Sequence, residues 1–450
     1  MAIEGTEMPA IKVFGETVLR GSVKVSGAKN ATTKLLVASL LSNKRTILKN
    51  VPNIEDVRQT VELCRALGAI IDWDHEAQVI EIYTPRILLS KVPSQFSCVN
   101  RIPILLLGAL LRRCPYGIFV PMLGGDAIGP RTLHFHLEGL KKLGAEIKVS
   151  EEGYWAAAPD GLVGAHIVLP YPSVGATENL ILASVCAQGR TMIKNAALEL
   201  EILDLIVFLQ KAGVEITTDN DRTIEVFGCQ DFYSVEHSII PDKIEAASFG
   251  MAAVVSQGRV FVEDARHEHM IPFLKALRSI GGGFSVRENG IEFFYNKPLK
   301  GGVLLETDVH PGFITDWQQP FAVLLSQAQG CSVIHETVHE NRLGYLNGLV
   351  KMGAHCDLFH ECLSAKSCRY STGNHPHSAV IHGPTPLKGV DLVIPDLRAG
   401  FAYVMAALIT TEGSVSRIEN TRMLDRGYTD WKGKLERLGA KILTEKEECV

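Results

Sequence analysis

The sequence predicts an α/β protein made of six repeated units that group into two domains of three. Three observations support this prediction: the length of the chain, a glycine that recurs at a regular interval, and two kinds of helix that alternate along the chain. At about 150 residues per domain, 450 residues leave room for two or three domains with cores of their own.

The recurring glycine ends a helix-like stretch and precedes a short strand. It occurs in RALGAII, KKLGAEI, QKAGVEI, RSIGGGF, VKMGAHC and ERLGAKI, at Gly68, Gly144, Gly213, Gly281, Gly353 and Gly439. Glycine just past a helix supplies a left-handed C-terminal cap without a Cβ clash. The mean interval of about 74 residues exceeds the roughly 20 to 45 residues of solenoid repeats, which favours globular domains over a solenoid.

Two kinds of helix alternate before these glycines. The first kind, such as ATTKLLVASLL, is apolar nearly all round, whereas the second, such as IEDVRQTVELCRALG, has a polar face. An all-round apolar helix is buried and an amphipathic helix lies at the surface. Each unit therefore covers a small sheet with one buried and one surface helix.

Polar residues cluster at the N-terminal ends of the apolar helices in all six units. They are Lys29 with Asn30, Arg101, residues 175–177, Asp242 with Lys243, Thr315 with Asp316, and Asp396 with Arg398. If the buried helices of a domain run parallel, their N-termini converge and favour negative charge. Two such faces across a hinge would form a cleft for a multiply anionic ligand.

A capping role alone explains the Asp and Thr residues at these ends, because such caps stabilise a helix by about 1 kcal/mol without a ligand. The cations Lys29, Arg101 and Arg398 oppose the helix dipole instead. They are therefore the informative members of the set.

Composition excludes several other classes of protein. The net charge is -5, which argues against a nucleic-acid or membrane partner. The longest uncharged apolar run, 102–111, is too short for about 30 Å of hydrocarbon, and the start MAIEGTEMPA lacks the features of a secretory signal. Ten scattered cysteines without a CxxC pair predict free thiols. We therefore expect a cytoplasmic protein.

Eight motifs in chain order carry a family resemblance. They are SGAKN (26–30), LGGDAIGPR (123–131), SVGATEN (173–179), PDKIEAASF (241–249), TDWQQPF (315–321), ETVHENR (336–342), DLRAG (396–400) and DRGY (425–428). With them the chain resembles the UDP-N-acetylglucosamine enolpyruvyl transferase family, the 1-carboxyvinyltransferases that open peptidoglycan synthesis, from about residue 11 to residue 442. The segment 123–131 by itself is only a glycine-rich hinge candidate, since it matches neither a Walker loop nor a dinucleotide fingerprint.

The resemblance implies a fold and a reaction. The fold is two inverse α/β domains, each of three βαβαββ-type units, with an interdomain cleft. We expect residues 30–240 to form the domain that carries the mobile loop, and residues 1–29 with 241–450 to form the other, with crossings near Lys29 and Ile240. The implied reaction transfers the enolpyruvyl group of phosphoenolpyruvate to the 3′-hydroxyl of UDP-N-acetylglucosamine and releases phosphate. It implies no metal and no organic cofactor.

The resemblance also assigns residues to roles. Phosphoenolpyruvate contacts are expected from Lys29, Asn30, Arg131, Arg398 and Arg426. Catalytic roles fall to Asp126, Asp316, Lys29, Arg398 and Arg426, with Asp316 a candidate base near the acceptor hydroxyl. UDP-N-acetylglucosamine contacts are expected from Arg101, Arg131, Thr132, Leu133, His134, Phe135, Tyr171, Pro172, Ser173, Val174, Asp316 and Val338.

One departure from the family pattern bears on mechanism. Asp126 stands where the family usually has cysteine. To act as an acid near pH 7, an aspartic acid needs its pKa raised by about 3 pH units, or roughly 4 kcal/mol. Because fosfomycin alkylates the loop thiol, we predict that this protein is insensitive to it. Lys243 and Tyr171 also differ, from the usual Arg and Lys, and the Tyr171 change puts one nucleotide-phosphate contact in doubt.

Two alternatives remain beside this prediction. A 3-phosphoshikimate 1-carboxyvinyltransferase shares the fold and the donor substrate but has no counterpart of LGGDAIGPR. A non-catalytic nucleotide-sugar binding homologue would explain the loss of the loop cysteine.

A group of cysteines and histidines in the fifth unit lacks the close pairs of a structural zinc site, so no metal is predicted. The group consists of Cys356, Cys362, Cys368, His355, His360, His375 and His377.

Overall fold

Six small sheets, each with its own helices, make up the part of the chain that the structure describes. The structure is a computed structural model, and it describes residues 9–125, 129, 133–364 and 368–445. Its strands are β1 (Ala10–Phe14), β2 (Arg20–Lys24), β3 (Thr46–Lys49), β4 (Ile70–Asp74), β5 (Val79–Tyr83), β6 (Ile118–Pro121), β7 (Glu146–Val149), β8 (Gly153–Ala157), β9 (His166–Val168), β10 (Arg190–Lys194), β11 (Glu215–Thr218), β12 (Ile224–Phe227), β13 (Val235–Ser238), β14 (Arg259–Glu263), β15 (Gly283–Arg287), β16 (Gly290–Phe294), β17 (Leu304–Glu306), β18 (Gly330–His335), β19 (His355–Phe359), β20 (Ser378–Gly383), β21 (Asp391–Val393), β22 (Val415–Glu419) and β23 (Ile442–Thr444).

The helices alternate with these strands in the predicted order. They are α1 (Lys29–Ala38), α2 (Glu55–Ala66), α3 (Leu106–Ala109), α4 (His134–Lys142), α5 (Val174–Ser184), α6 (Leu200–Lys211), α7 (Lys243–Val255), α8 (Ile271–Ser279), α9 (Gln318–Ser326), α10 (Leu346–Lys351), α11 (Leu397–Leu408), α12 (Arg422–Asp425) and α13 (Trp431–Arg437). None of the helices within the described ranges has both the length and the apolar character needed to cross a membrane. The cysteines described are free thiols.

The sheets repeat one topology. In the sheet β9-β10-β12-β11, the first two strands are parallel and the other contacts are antiparallel, and β17-β18-β20-β19 repeats this pattern. Three sheets take a strand from a distant part of the chain: β13 pairs with β3, β2 with β14, and β1 with β22 and β23. The sixth sheet, β6-β8-β7, has three strands. In place of a fourth, parallel strand it has a single parallel bridge between Lys91 and Phe119 of β6. The repeated α/β unit predicted from the sequence is therefore confirmed.

The described residues divide into two compact units with three sheets each. Unit 1 contains residues 9–25, 129 and 241–445, and unit 2 contains residues 26–125 and 133–240. Hydrogen bonds mark the first change of unit, because the Val25 N–H donates to Glu263 in unit 1 and the Ala28 N–H donates to Ile240 in unit 2. This change therefore falls just before residue 26, a few residues ahead of the crossing expected near Lys29.

The apolar helices form the core of each unit, as the sequence predicts. In unit 1 the side chains of Phe249, Phe321 and Phe401, from α7, α9 and α11, are fully buried. In unit 2, α1 and α5 contribute Leu35 and Leu180, which are buried as completely. The six repeat glycines have φ between 91° and 108°, a region that favours glycine, so the predicted C-terminal caps are confirmed.

One core helix is shorter than its apolar run suggests. Residues 102–111 form a 3-10 turn, Ile102–Leu105, followed by the four-residue α3. Pro103 lacks an N–H for the first turn, and just beyond the run the Arg113 guanidinium donates to three main-chain carbonyls of neighbouring segments. The Arg113 contacts therefore anchor the residues after α3 to neighbouring segments.

Candidate active site

The N-terminal ends of α7, α9 and α11 lie together in unit 1. Asp242 and Asp396 cap α7 and α11, and each carboxylate accepts two main-chain N–H groups. The Trp317 indole N–H, at the start of α9, donates to the Lys243 carbonyl of α7 at 3.4 Å. The convergence expected of parallel buried helices is thus confirmed within this unit, and it brings the positive ends of the helix dipoles together.

Asp316, just before α9, lies between two arginines. Arg342 Nη2 donates to Asp316 Oδ1 at 2.7 Å, and Arg398 Nε donates to Oδ2 at 3.2 Å. The side chains of Arg342 and Arg398 are 5% and 3% exposed, against 21% for Asp316. Two buried guanidinium groups therefore offset the charge of the carboxylate and fix its position.

Arg398 retains a donor that the described protein does not use. Its Nη1 is buried and has no hydrogen-bond acceptor among the described residues. Burial opposes its charge, but the Tyr428 hydroxyl and the Asp316 carboxylate outweigh burial and raise the pKa of Arg398 above its ordinary value. The guanidinium carbon lies 5.3 Å from the centre of the Tyr428 ring. A permanently charged, buried group with an unused donor is suited to an anionic ligand.

Tyr428 packs against Arg398 and follows a second predicted cation in the chain. Its hydroxyl lies 3.1 Å from Ser248 Oγ on α7, and burial raises the pKa of the phenol, so it stays neutral at pH 7. Arg426, two residues earlier, ends α12 and is half-buried. Unit 1 therefore carries Arg398 and Asp316 at the N-terminal ends of its core helices, and Arg426 at the C-terminal end of α12.

Glu336 organises the turn that holds Val338, a predicted nucleotide-sugar contact. Its buried carboxylate accepts the main-chain N–H groups of Val338 at 2.7 Å and His339 at 2.8 Å. The Thr315 hydroxyl, beside Asp316, donates to the same carboxylate at 2.8 Å. Burial raises the pKa of Glu336. Glu336 therefore hydrogen-bonds both to the turn at Val338 and to Thr315, the neighbour of Asp316.

Unit 2 holds Lys29 with a carboxylate from a surface helix. Lys29 begins α1, and its Nζ lies 2.9 Å from Asp56 Oδ2 in the first turn of α2. Their side chains are 13% and 7% exposed. Asn30 follows at intermediate exposure, and its carbonyl accepts from Lys34 Nζ at 2.8 Å. Asp56 thus offsets the cost of placing a cation at a helix N-terminus.

Asn179 connects three segments that carry predicted nucleotide-sugar contacts. Its buried Nδ2 lies 3.2 Å from the Ile104 carbonyl and 3.2 Å from His136 Nδ1. Ile104 belongs to the turn that follows Arg101, His136 lies in the first turn of α4, and Asn179 lies on α5. One buried amide on α5 therefore contacts both the turn after Arg101 and the first turn of α4.

The nucleotide-sugar contacts predicted in unit 2 lie at the starts of these three segments. Leu133 is buried, His134 is exposed, and Arg101, Phe135, Tyr171, Pro172, Ser173 and Val174 have intermediate exposure. Ser173 is the N-cap of α5 and accepts the Ala176 N–H at 3.5 Å. Asp126, Arg131 and Thr132 lie outside the described residues.

Sequence reasoning did not assign Asp56, Arg342, Glu336 or Asn179 to the site. Arg342, Glu336 and Asn179 lie in the motifs ETVHENR and SVGATEN, so the motifs themselves were a signal. Asp56 opens a surface helix with no such motif, and only the fold shows that it meets Lys29.

A buried acid in unit 2 gives a testable pH dependence of stability. Burial raises the pKa of Glu178 to about 7, although Lys34 Nζ at 3.7 Å opposes the rise. The native chain then binds this proton more tightly than the unfolded chain. The contribution of protonated Glu178 to stability is fully present below the pKa of the unfolded chain, near 4.3, and is lost as the pH rises through about 7.

We therefore expect the free energy of unfolding of the wild-type chain to fall, relative to that of Glu178→Gln, between about pH 5 and pH 7. Urea denaturation at several pH values measures both. Glu76→Gln, at an exposed glutamate, is the matched control and should keep the wild-type slope. Parallel slopes for wild type and Glu178→Gln would contradict the assignment.

Comparisons with known proteins identify the family. The sequence profile of the EPSP synthase (3-phosphoshikimate 1-carboxyvinyltransferase) family matches residues 13–435. UDP-N-acetylglucosamine 1-carboxyvinyltransferase of Chlamydia muridarum is 90% identical over 443 residues, 98% of this chain and 100% of the relative. That of Protochlamydia amoebophila is 56% identical over 448 residues, 98% of this chain and 96% of the relative.

A solved structure shows the same fold. The enolpyruvyl transferase NikO from Streptomyces tendae superposes with a TM-score of 0.85 at 22% identity, over 98% of this chain and 100% of that one. The predicted two-domain α/β fold is thus confirmed. The profile match covers most of the chain, and the high-identity relatives share one name. The chain therefore belongs to the EPSP synthase family and, within it, to the UDP-N-acetylglucosamine 1-carboxyvinyltransferases.

Proposed function

We propose that this chain transfers the enolpyruvyl group of phosphoenolpyruvate to the 3′-hydroxyl of UDP-N-acetylglucosamine and releases phosphate. The observation that carries the proposal is the arrangement at Asp316, a carboxylate held by Arg342 and Arg398 beside converging helix N-termini. A fixed carboxylate and an arginine with an unused buried donor are what a proton acceptor and an anion clamp require.

The reaction proceeds by addition and elimination. The 3′-oxygen attacks C2 of the enol while C3 takes up a proton, so a C–O bond and a C–H bond replace the π bond. The product is a tetrahedral ketal phosphate, and the hydroxyl proton passes to a base. Loss of a proton from C3 then restores the double bond as the C2–O bond to phosphate breaks. No oxidation or reduction occurs, so the reaction needs no redox cofactor.

The acid and base roles fall to two carboxylates. Asp316 accepts the hydroxyl proton, and its hydrogen bonds from Arg342 and Arg398 fix its position before substrate binds. Asp126 supplies the proton to C3 and assists product release, in place of the thiol usual in the family. This role requires a protonated Asp126, which a closed site rich in phosphate charge favours.

Cations bind the donor substrate. Arg398 directs its unused Nη1 to phosphoenolpyruvate, and Lys29, Arg131 and Arg426 complete the charge on its carboxylate and phosphate, with Asn30 beside the intermediate. Fork-shaped guanidinium groups suit both planar anions. The charge that spreads in the transition state is stabilised most where water is excluded.

The acceptor is bound by the segment starts described above and by the turn at Val338. The nucleotide-sugar contacts come from Arg101, residues 131–135, residues 171–174, Asp316 and Val338. Asn179 and Glu336 position these segments through the hydrogen bonds given above. We place the enzyme in the cytoplasm, with these two small molecules as substrates and with neither nucleic acid nor membrane as partner.

The proposed function and its two alternatives differ in which acceptor substrate triggers the release of phosphate. A coupled assay supplies phosphoenolpyruvate with either UDP-N-acetylglucosamine or shikimate 3-phosphate as acceptor. The proposal predicts release only with the nucleotide sugar, together with a product heavier by the enolpyruvyl group in mass spectrometry. Release only with shikimate 3-phosphate would assign the other transferase, and release with neither would leave a binding protein.

A further inference from the structure

Four potential metal ligands cluster in unit 1, outside the residues assigned to substrates. His335 ends β18, His377 immediately precedes β20, and Cys362 and Cys368 lie in the connection between β19 and β20. One ligand atom from each of the four lies within 4.8 Å of all the others.

The separations fit a tetrahedral zinc ion. Zinc binds sulfur at about 2.3 Å and imidazole nitrogen at about 2.0–2.1 Å, so a tetrahedral ion separates two sulfurs by about 3.8 Å and a sulfur and a nitrogen by about 3.5 Å. Cys362 Sγ lies 3.7 Å from Cys368 Sγ and 3.4 Å from His377 Nε2. The thiols are thus spaced as zinc would space them, and too far apart for a disulfide, whose S–S bond is about 2.0 Å.

Both histidines are oriented as metal ligands. The His335 side chain is fully buried, and its Nδ1 lies 2.9 Å from Glu306 Oε2. Its Nε2 is buried and has no hydrogen-bond partner among the described residues. His377 is equally buried, with Nδ1 3.3 Å from the His375 carbonyl. A histidine whose Nδ1–H donates to a carboxylate or carbonyl presents a lone pair at Nε2, as zinc-bound histidines do.

Main-chain N–H groups surround the two sulfurs. The Cys368 N–H donates to Cys362 Sγ at 3.3 Å, and the Tyr370 N–H donates to Cys368 Sγ at 3.3 Å. Main-chain N–H groups of this kind orient the sulfur ligands of a metal site. The polar groups next to each ligand are therefore in place.

We propose that His335, Cys362, Cys368 and His377 bind a structural zinc ion. The two thiolates neutralise the charge of the ion, and two neutral imidazoles complete its coordination. Binding releases the two thiol protons to solvent. The sulfur and nitrogen donors select zinc over magnesium or calcium. Four protein ligands complete a tetrahedron, so the site has no open position for chemistry and is structural.

The ion fastens residues 362–364 and 368–377 onto their sheet. Among these residues, Tyr370 donates its hydroxyl to the Val338 carbonyl at 2.9 Å, and Arg369 donates to the same carbonyl. The zinc site therefore supports the turn at Val338, which binds the nucleotide sugar if the proposed function holds. The sequence prediction of no metal rested on the lack of close pairs among the cysteines and histidines from 355 to 377, and it did not consider His335, which lies on an earlier strand.

Metal analysis of the full-length chain tests the proposal. After expression with zinc and gel filtration in a weak chelator, we expect about one zinc per chain. The Cys362→Ser/Cys368→Ser variant should lose it. His382→Ala is the matched control, because His355, Asp357 and His382 form a second, more exposed cluster on the same sheet. That variant should retain its zinc.

Cobalt substitution gives a readout independent of activity. We expect the intense visible absorption of tetrahedral cobalt with thiolate-to-metal charge transfer in wild type and His382→Ala, and its absence in the double serine variant. Glu306→Gln keeps all four ligands and should fold, yet it should weaken zinc binding about 10- to 100-fold in a chelator competition, since it removes the carboxylate behind His335.

Three results would overturn the proposal. They are a zinc-free wild-type chain that shows no cobalt–thiolate absorption after reconstitution, retention of zinc by the folded double serine variant, and loss of zinc from His382→Ala alone. Failure of the acceptor assay would leave the zinc result untouched, so failure of this inference and failure of the proposed function are distinguishable.

Discussion

Replacing Asp126 with cysteine is expected to make the enzyme a target of fosfomycin. The drug alkylates a thiol, and the wild-type chain has a carboxylate at that position. Intact mass spectrometry should show one added fosfomycin on Asp126→Cys and none on wild type. The wild-type chain is a stringent control, because it carries exposed thiols at Cys98 and Cys331. Stoichiometric labelling of wild type would contradict the prediction.

The same position should control turnover and its pH dependence. Asp126→Asn removes the proton donor, so we expect kcat to fall by about 10²- to 10⁴-fold. An acid acts in its protonated form, so the rate falls as the pH rises through its pKa. The ordinary values are about 3.9 for aspartic acid and 8.5 for cysteine, so the fall should move to higher pH in Asp126→Cys. Full turnover by Asp126→Asn would remove this residue from the mechanism.

Asp316→Asn should produce the second large loss. Without the carboxylate, the 3′-hydroxyl has no proton acceptor, and kcat should fall by about 10²- to 10⁴-fold. Asparagine keeps one oxygen acceptor but removes the negative charge between Arg342 and Arg398, so the KM for phosphoenolpyruvate should stay constant or decrease. Steady-state kinetics separates the two effects.

The matched control for this variant is Asp391→Asn, at an exposed aspartate at the start of β21. It should leave both parameters at wild-type values. A large rise in KM with unchanged kcat in Asp316→Asn would contradict a proton-transfer role and assign Asp316 to substrate binding instead.

The repeated fold could be predicted because it depends on local rules. Glycine at Gly68 or Gly439 ends a helix for a steric reason, and apolar residues all round α7 or α11 require burial. The short α3 could not be foreseen from hydrophobicity, since an apolar run predicts burial but does not distinguish a 3-10 turn from a regular helix. The exchange of strands at β1, β2 and β13 is likewise a tertiary property.

The site was predictable where charge conflicts with local preference. Lys29 and Arg398 stand at helix N-termini that disfavour cations, which singled them out. The carboxylates that pair with them were not equally predictable. Asp316 lies in a motif, whereas Asp56 is an ordinary acid in the first turn of a surface helix, and only the fold brings it to Lys29. The zinc ligand His335 was missed for the same reason, because its partners are distant in sequence.

The affinity of phosphoenolpyruvate for Arg398→Gln tests the central claim most directly. The claim is that the buried Arg398 guanidinium binds this anion. Calorimetry without UDP-N-acetylglucosamine, so that no turnover occurs, measures the binding, with thermal unfolding as the check on folding. A charged hydrogen bond contributes about 1.5–3 kcal/mol, so the dissociation constant should rise at least about 10- to 100-fold. An unchanged dissociation constant in the folded variant would contradict the account.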